Sequence, residues 1–261
     1  MNADSIHTLT EAKMTRRSFR PALLASALVA FSATALAAQT PAEILARYNK
    51  VVDPQGRIPS VEGMRTTITM EIPAAGMTAN IVAVQARPNS MTMIIDIPGL
   101  GQMKQGYDGT TAWSSDPMQG PRLMAGPEAA AIIDGSSLAA MARTADMFTA
   151  MEAAGDVDVD GTKANCVKLT WKSGRITTEC FSTATGLLVE SRAKQQSQMG
   201  EVEAVSRMSD YRDIGGIMVP HKLSQSAMGM QQLMTTTSVV FGPQDPKLFE
   251  LPPEIKALRP R

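Results

Sequence analysis

The sequence predicts an α+β domain, mainly antiparallel β, behind an export signal. Three observations carry this. Short runs of alternating apolar residues recur between turns rich in Gly, Pro and Asn. Two Ala-rich stretches in the middle of the chain have helical spacing instead. The first 38 residues read as a basic segment, an apolar segment and a small-residue cleavage site, the order of a secretory signal. After that signal no apolar run approaches the roughly 20 residues of a spanning helix, so the mature chain is expected not to span a membrane.

The signal is taken as residues 1–38. Met14 to Arg20 is basic, Ala22 to Ala33 is apolar, and Ala35-Leu36-Ala37 places cleavage near Ala37 or Ala38. Met14 is an alternative start. Thr15-Arg16-Arg17-Ser18-Phe19 looks like a twin-arginine box with Arg20 where a Leu is expected, so both export routes stay open. No Cys stands directly after the cleavage site, where Ala38-Gln39-Thr40 follows, which disfavours a lipid anchor. Residues 39–261 are enough for one domain. They hold 21 Lys and Arg against 23 Asp and Glu. That balance, with no basic cluster interleaved by aromatics, argues against nucleic acid.

Thr40 to Val52 is the first element, a helix. Thr40 caps it, Pro41 suits its first turn, and Ile44, Leu45, Tyr48, Val51 and Val52 share a face. Asp53-Pro54-Gln55-Gly56 stops it. Val61 to Ile72 reads as a strand with Thr66, Ile68, Met70 and Ile72 on one side and Arg65, Thr67, Thr69 and Glu71 on the other. Ile81 to Pro117 reads as three strands broken at Pro88-Asn89 and Pro98-Gly99, the first ending in Arg87-Pro88-Asn89 and the third beginning with Tyr107-Asp108-Gly109, with Met91, Met93 and Ile95 alternating. Pro127 to Ile133 and Leu138 to Ala154 read as helices. The second carries Leu138, Met141, Ala145, Phe148 and Met151 at helical spacing. Strands then return: Cys166 to Trp171, Arg175 to Ser182, Leu187 to Gln196, Val202 to Tyr211, Ile217 to Met228 and Gln231 to Val240.

Cys166 and Cys180 lie symmetrically about the Ser173-Gly174 turn, so adjacent strands can place them opposite each other. In an oxidising compartment that suggests a disulfide; two reduced core thiols are the alternative. Closing a loop of about 15 residues is worth roughly 3 kcal/mol in the chain-entropy model.

Two signatures, Arg87-Pro88-Asn89 and Tyr107-Asp108-Gly109 with Thr111-Ala112-Trp113, resemble the LolA-type periplasmic lipoprotein carriers. Phe181 to Leu188, Tyr211 to Pro220 and Asp245 to Pro253 are similar to segments of LolA-like exported proteins, so the resemblance extends over nearly the whole mature chain. It implies a curved incomplete β-barrel with helices covering the concave face, where acyl chains are held. It also implies a monomeric, non-enzymatic periplasmic carrier without cofactor. Such a carrier takes lipoprotein or lipid from an inner-membrane donor complex to an outer-membrane acceptor, as a chaperone of outer-membrane biogenesis. By the same resemblance Arg87 sits at the groove mouth and hydrogen-bonds the lid backbone. The carriers' hollow is rich in Trp, Phe and Leu, whereas Met and Ala dominate here, which leaves the cargo open.

Other chemistry finds little support. His221 is the one histidine after the signal, too few for a zinc set, and is read as a rim residue at a strand start. Asp156 to Gly161 resembles part of a calcium loop without its closing Glu, and reads as a solvated turn. No catalytic or metal residue is assigned. The 17 methionines after the signal against nine aromatics are the oddity. Flexible thioethers can pack a core, re-pack around acyl chains, or bind Cu(I). The groove-lining candidates are Met70, Met91, Met93, Trp113, Leu138, Met141, Phe148, Met228, Met230 and Met234. The rival functions are a Met-rich copper-binding protein and a scaffold domain of the same fold without ligand.

Overall fold

The computed structural model describes residues 39–197 and 200–259; the expected signal lies outside them. Residues Gln39–Arg261 form one compact unit. Among the described residues no helix is long and apolar enough to cross a membrane.

Thr40 starts the first helix, α1 (Pro41–Val52), through a reciprocal capping box with Glu43. Two meanders follow, and both belong to one sheet. The first comprises β1 (Gly63–Ile72), β2 (Met77–Ala86), β3 (Ser90–Ile97), β4 (Gly101–Tyr107), β5 (Ala112–Asp116) and β6 (Gly120–Leu123). The second comprises β7 (Phe148–Val159), β8 (Thr162–Trp171), β9 (Ile176–Ser182), β10 (Leu188–Ser197), β11 (Gly200–Ile214), β12 (Ile217–Ala227) and β13 (Met230–Phe241). Between them run α2 (Gly126–Ser136) and two 3₁₀ turns; after them comes α3 (Pro253–Lys256). The 13 strands of the described residues are all antiparallel, ordered β6-β5-β4-β3-β2-β1-β13-β12-β11-β10-β9-β8-β7.

The sheet is therefore open, with β6 and β7 as its edges, and it is strongly curved. Helix α2 touches both β4 and β10. Those strands are seven steps apart in the sheet order, roughly 34 Å if it were flat. A helix is only about 10–12 Å across, so the sheet must curl around it. This is the incomplete barrel that the resemblance implied.

Two expected elements need correction. Tyr107-Asp108-Gly109 does not begin a strand: Tyr107 ends β4, and Asp108 Oδ1 accepts from the amides of Thr110 and Thr111 to make a turn before β5. Four strands stand where three were read. The expected helix from Leu138 to Ala154 is also absent. Leu138–Met141 and Ala145–Met147 are short 3₁₀ turns, and Phe148 opens β7. The residues at helical spacing find better partners across a ladder, Phe148 opposite Trp171 and Met151 opposite Leu169, so tertiary pairing overrides the helix preference of the Ala-rich stretch.

The expected face of β1 is as read. Met70 lies opposite Ala79 and Met234, and Ile68 opposite Ile81 and Thr236. Cys166 and Cys180 are directly opposed on β8 and β9 and form a disulfide. His221 is not at the rim: it is buried, with Nδ1 3.0 Å from the Val219 carbonyl.

Candidate functional site

The face of the sheet that carries the helices has two unlike halves. Over β7 to β12, α1 lays Ile44, Leu45, Tyr48 and Val52 into a core with Val167, Leu169, Trp171, Phe181, Leu188 and Ile217. Leu138 and Phe148 are buried in this core and Met141 packs on it. These three candidates thus belong to a sealed plug, because α1 supplies the apolar partner that a ligand would otherwise provide.

A buried ion pair fixes the strap that crosses from α2 to β7. Arg143 Nε donates to Glu179 at 2.8 Å, and Glu179 is 1% exposed. The guanidinium also donates to the Ala140 carbonyl and lies 5.4 Å from the Trp171 ring centre. Burial opposes its charge, but Glu179 overcomes this and holds Arg143 above the usual arginine range. The strap meets α1 through Asn49, whose Oδ1 accepts from the Arg143 amide at 2.7 Å and whose Nδ2 donates to the Arg143 carbonyl at 3.0 Å. Tyr48 Oη donates to the Met141 carbonyl at 3.1 Å, and burial raises the Tyr48 hydroxyl above its usual value.

The other half, over β1 to β4 with β12 and β13, carries no such plug. Cross-strand pairing draws two rows on this face. One runs Met103, Ile95, Ile81, Ile68 and Thr236; the other runs Ala79, Met70, Met234 and Leu223 and ends at Met208, which already packs on the α1 core. Met70, Ala79 and Ile81 are buried, while Ile68, Met93, Ile95 and Met234 remain half-buried around them. Alternation of Ile and Met in three adjoining strands builds this apolar floor.

Helix α2 bounds a cleft of about 700 Å³ against the ends of β9 to β11. Met124, Ala131 and Ile132 lie on the helix side, Gln105, Thr177 and Ala193 on the sheet side, and Arg175, Arg192, Lys194, Glu201 and Glu203 around it. The size is within the range of small-molecule sites. Helix α2 is tied at both ends. Arg122 pairs with Glu128 at its start, and this hydrogen bond, against partial burial, holds the Glu128 carboxyl below its usual value. At its end Arg175 Nε donates to Asp134 at 2.8 Å and Gln85 Nε2 donates to the Gly135 carbonyl at 2.5 Å. Ser114 Oγ, on the same face opposite Gln105 and Arg122, is buried without a partner among the described residues.

The remaining candidates separate cleanly. Met93 and Met234 face the apolar floor, Met70 lies within it, and Met230 stands on the same face at its exposed end. Met91 is buried opposite Tyr107. Trp113 is on the opposite face: its neighbours Ala112 and Ser114 point toward α2, and the indole instead packs against Leu251 and Ile255 of the C-terminal segment. Met228 lies in the two-residue turn with Gly229, both at positive φ, so no strand runs through Gly229 and Met228 lines nothing. Arg87 does bind backbone carbonyls, but those of Ile58 at 2.8 Å and Val61 at 2.7 Å. These lie between α1 and β1, not in α2. Ile68 and Ile95 were placed on strand faces but not among the lining candidates, and Ile81 and Leu223 were passed over; the alternation that placed the methionines carried the same signal for all four.

Among the described residues no group of three or more His, Cys, Asp or Glu is arranged to hold a metal ion. No family model matches the chain, and no curated protein matches it in sequence. Solved structures do. A LolA superfamily protein from Nitrosomonas europaea is 14% identical, with 82% of this chain and 99% of that one covered at a TM-score of 0.55. A DUF1329 family protein from Desulfovibrio piger is 13% identical, with 85% and 100% covered at a TM-score of 0.51. At these identities the likeness is one of architecture, and the chain has the LolA-like fold.

Proposed function

We propose that the protein is a non-enzymatic carrier of acyl chains. The observation that supports this is the unplugged half of the helix-covered face, where an Ile and Met floor is left half-exposed under a curled sheet. Transfer of a chain of 16 carbons from water to such a surface gains of order 10 kcal/mol before ordering costs, at roughly 0.8 kcal/mol per CH₂. The floor is made of unbranched and β-branched aliphatic groups with few polar interruptions, which suits hydrocarbon of varied shape. The delivery role, toward an outer membrane after export and cleavage of residues 1–38, follows from the resemblance of the Arg87 and Trp113 signatures to the lipoprotein carriers.

Native mass spectrometry of the protein purified from its own cells tests this reading. The expected result is a mass increment of one or more acyl-bearing molecules, lost in an Ile95→Asp variant that keeps its fold. Protein that takes up neither cellular lipid nor an added fluorescent fatty acid would sink it.

A further inference from the structure

The two rims of the sheet differ in a way that neither the apolar floor nor the helices require. Antiparallel pairing places the β1–β2, β3–β4, β5–β6 and β12–β13 turns side by side along one stretch of one rim, with the polar β8–β9 turn, Lys172 to Arg175, farther along it. Successive hairpins stand about 10 Å apart, two strand spacings. Their tips carry Leu100 at 56% exposure, Met118 at 92% and Met228 at 49%, with Pro73, Ala74 and Ala75 exposed on the fourth. Met103 and Met230, 40% and 52% exposed, continue the apolar surface from this rim onto the floor. At the opposite rim the turns are Arg87-Pro88-Asn89, Asp108 to Thr111, Asp160-Gly161, Thr183 to Gly186 and Gly215-Gly216. None of the large exposed apolar side chains lies in them.

The tips are held in place, and at one of them against backbone preference. Asp116 Oδ1 accepts from the amides of Met118 and Gln119 at 2.8 and 2.7 Å, which fixes the turn with Met118 outward. Leu100 sits between Gly99 and Gly101, both at positive φ. Met228 itself adopts φ 54°, a conformation that Gly, Asn or Asp takes readily and a Met does not. A residue kept there at conformational cost, its side chain half in solvent, points to a role outside the fold.

We propose that this rim docks the protein onto the surface of a lipid bilayer. Separate flexible side chains projecting from narrow turns fit between acyl chains, whereas a folded partner would call for a continuous packed patch. The charges nearest the tips, Asp96, Asp116, Glu71 and Lys104, are mixed in sign. Docking is therefore by apolar insertion and not by attraction to anionic headgroups. The rim opens directly onto the floor through Met103 and Met230, so a docked molecule presents its hydrocarbon-binding surface to the membrane. The docking rests on the tips themselves and would hold even if the floor takes no acyl chain.

Sedimentation of the purified protein with vesicles of phosphatidylethanolamine and phosphatidylglycerol, at low and high salt, tests the proposal. The protein is expected to pellet with vesicles at both salt concentrations. A Leu100→Ser, Met118→Ser variant is expected to partition at least about tenfold more weakly, two inserted side chains having been lost. Met228→Asn should weaken docking about threefold while its unfolding midpoint stays level or rises, since Asn tolerates the left-handed conformation. That rise excludes misfolding as the cause. Uptake of a soluble fluorescent fatty acid without vesicles should be unchanged in both variants, which separates the rim from the floor. Absence of pelleting by the unsubstituted protein, full pelleting by the double variant, or docking that vanishes in high salt would each overturn the proposal.

Discussion

The two halves of the helix-covered face are built from the same kind of strand and end in opposite states. Over β8 and β9, α1 brings Tyr48 to within 5.1 Å of the Phe181 ring centre and closes the core. Over β1 and β3 the side chains of Ile68, Met93 and Ile95 lie outside the core that α1 closes and stay half-buried. Apolar alternation in a strand says which face will avoid water. Whether the protein or a ligand covers that face depends on where the helices lie, and here one helix does not reach the second half.

That contrast can be broken from the sealed side first. Glu179→Ala leaves Arg143 charged and unpaired in the core, and should cost about 3–5 kcal/mol of stability, the usual penalty for half of a buried pair. A urea unfolding midpoint checks it, and replacement of both residues by well-packed aliphatic groups should recover most of the loss. A matched pair of truncations then measures the contrast itself. Leu45→Ala should destabilise by about 2–5 kcal/mol, as a cavity in a closed core does. Ile95→Ala, on the open half, should cost less than about 1.5 kcal/mol and instead weaken binding of a fluorescent fatty acid. Equal destabilisation by the two would mean the halves are alike.

The smallest effect concerns α2. The folded Glu128 carboxyl titrates below its unfolded value because of Arg122, so its contribution is fully present above about pH 4.5 and is lost as pH falls through the folded value. The protection factor of the amides at the start of α2, with the intrinsic pH dependence of exchange divided out, should fall on that acid side, and the step should be missing in Glu128→Gln. An unchanged step in that variant would assign it to another group.

Most of the architecture was legible because it is written locally. Turn residues and period-two alternation marked ten of the 13 described strands, missing the edges β6 and β7 and one strand of the first meander, and Thr40 and Pro41 marked the start of α1. The disulfide was legible from symmetry about Ser173-Gly174. What escaped was decided at a distance. Phe148 and Met151 have helical spacing and lie in a strand because Trp171 and Leu169 are opposite them. Trp113 looked like lining because it is large and apolar, yet only the path of the C-terminal segment tells which face Leu251 and Ile255 cover. Arg87 was expected to bind the lid backbone and instead donates to the carbonyls of Ile58 and Val61, a segment that could not be inferred from the Arg-Pro-Asn signature.

The seam between β1 and β13 has a consequence for how the molecule is made. The centre of the sheet joins the first strand of the chain to the last, with about 170 residues between partners such as Thr66 and Val239. A chain emerging from N to C terminus can assemble each meander as it appears, but it cannot join the two until its final strand is available. Closing so long a loop is slow and depends on the whole length being present. Synthesis that stops short of β13 would leave two half-sheets with bare edges, a ready substrate for proteases or for pairing between chains.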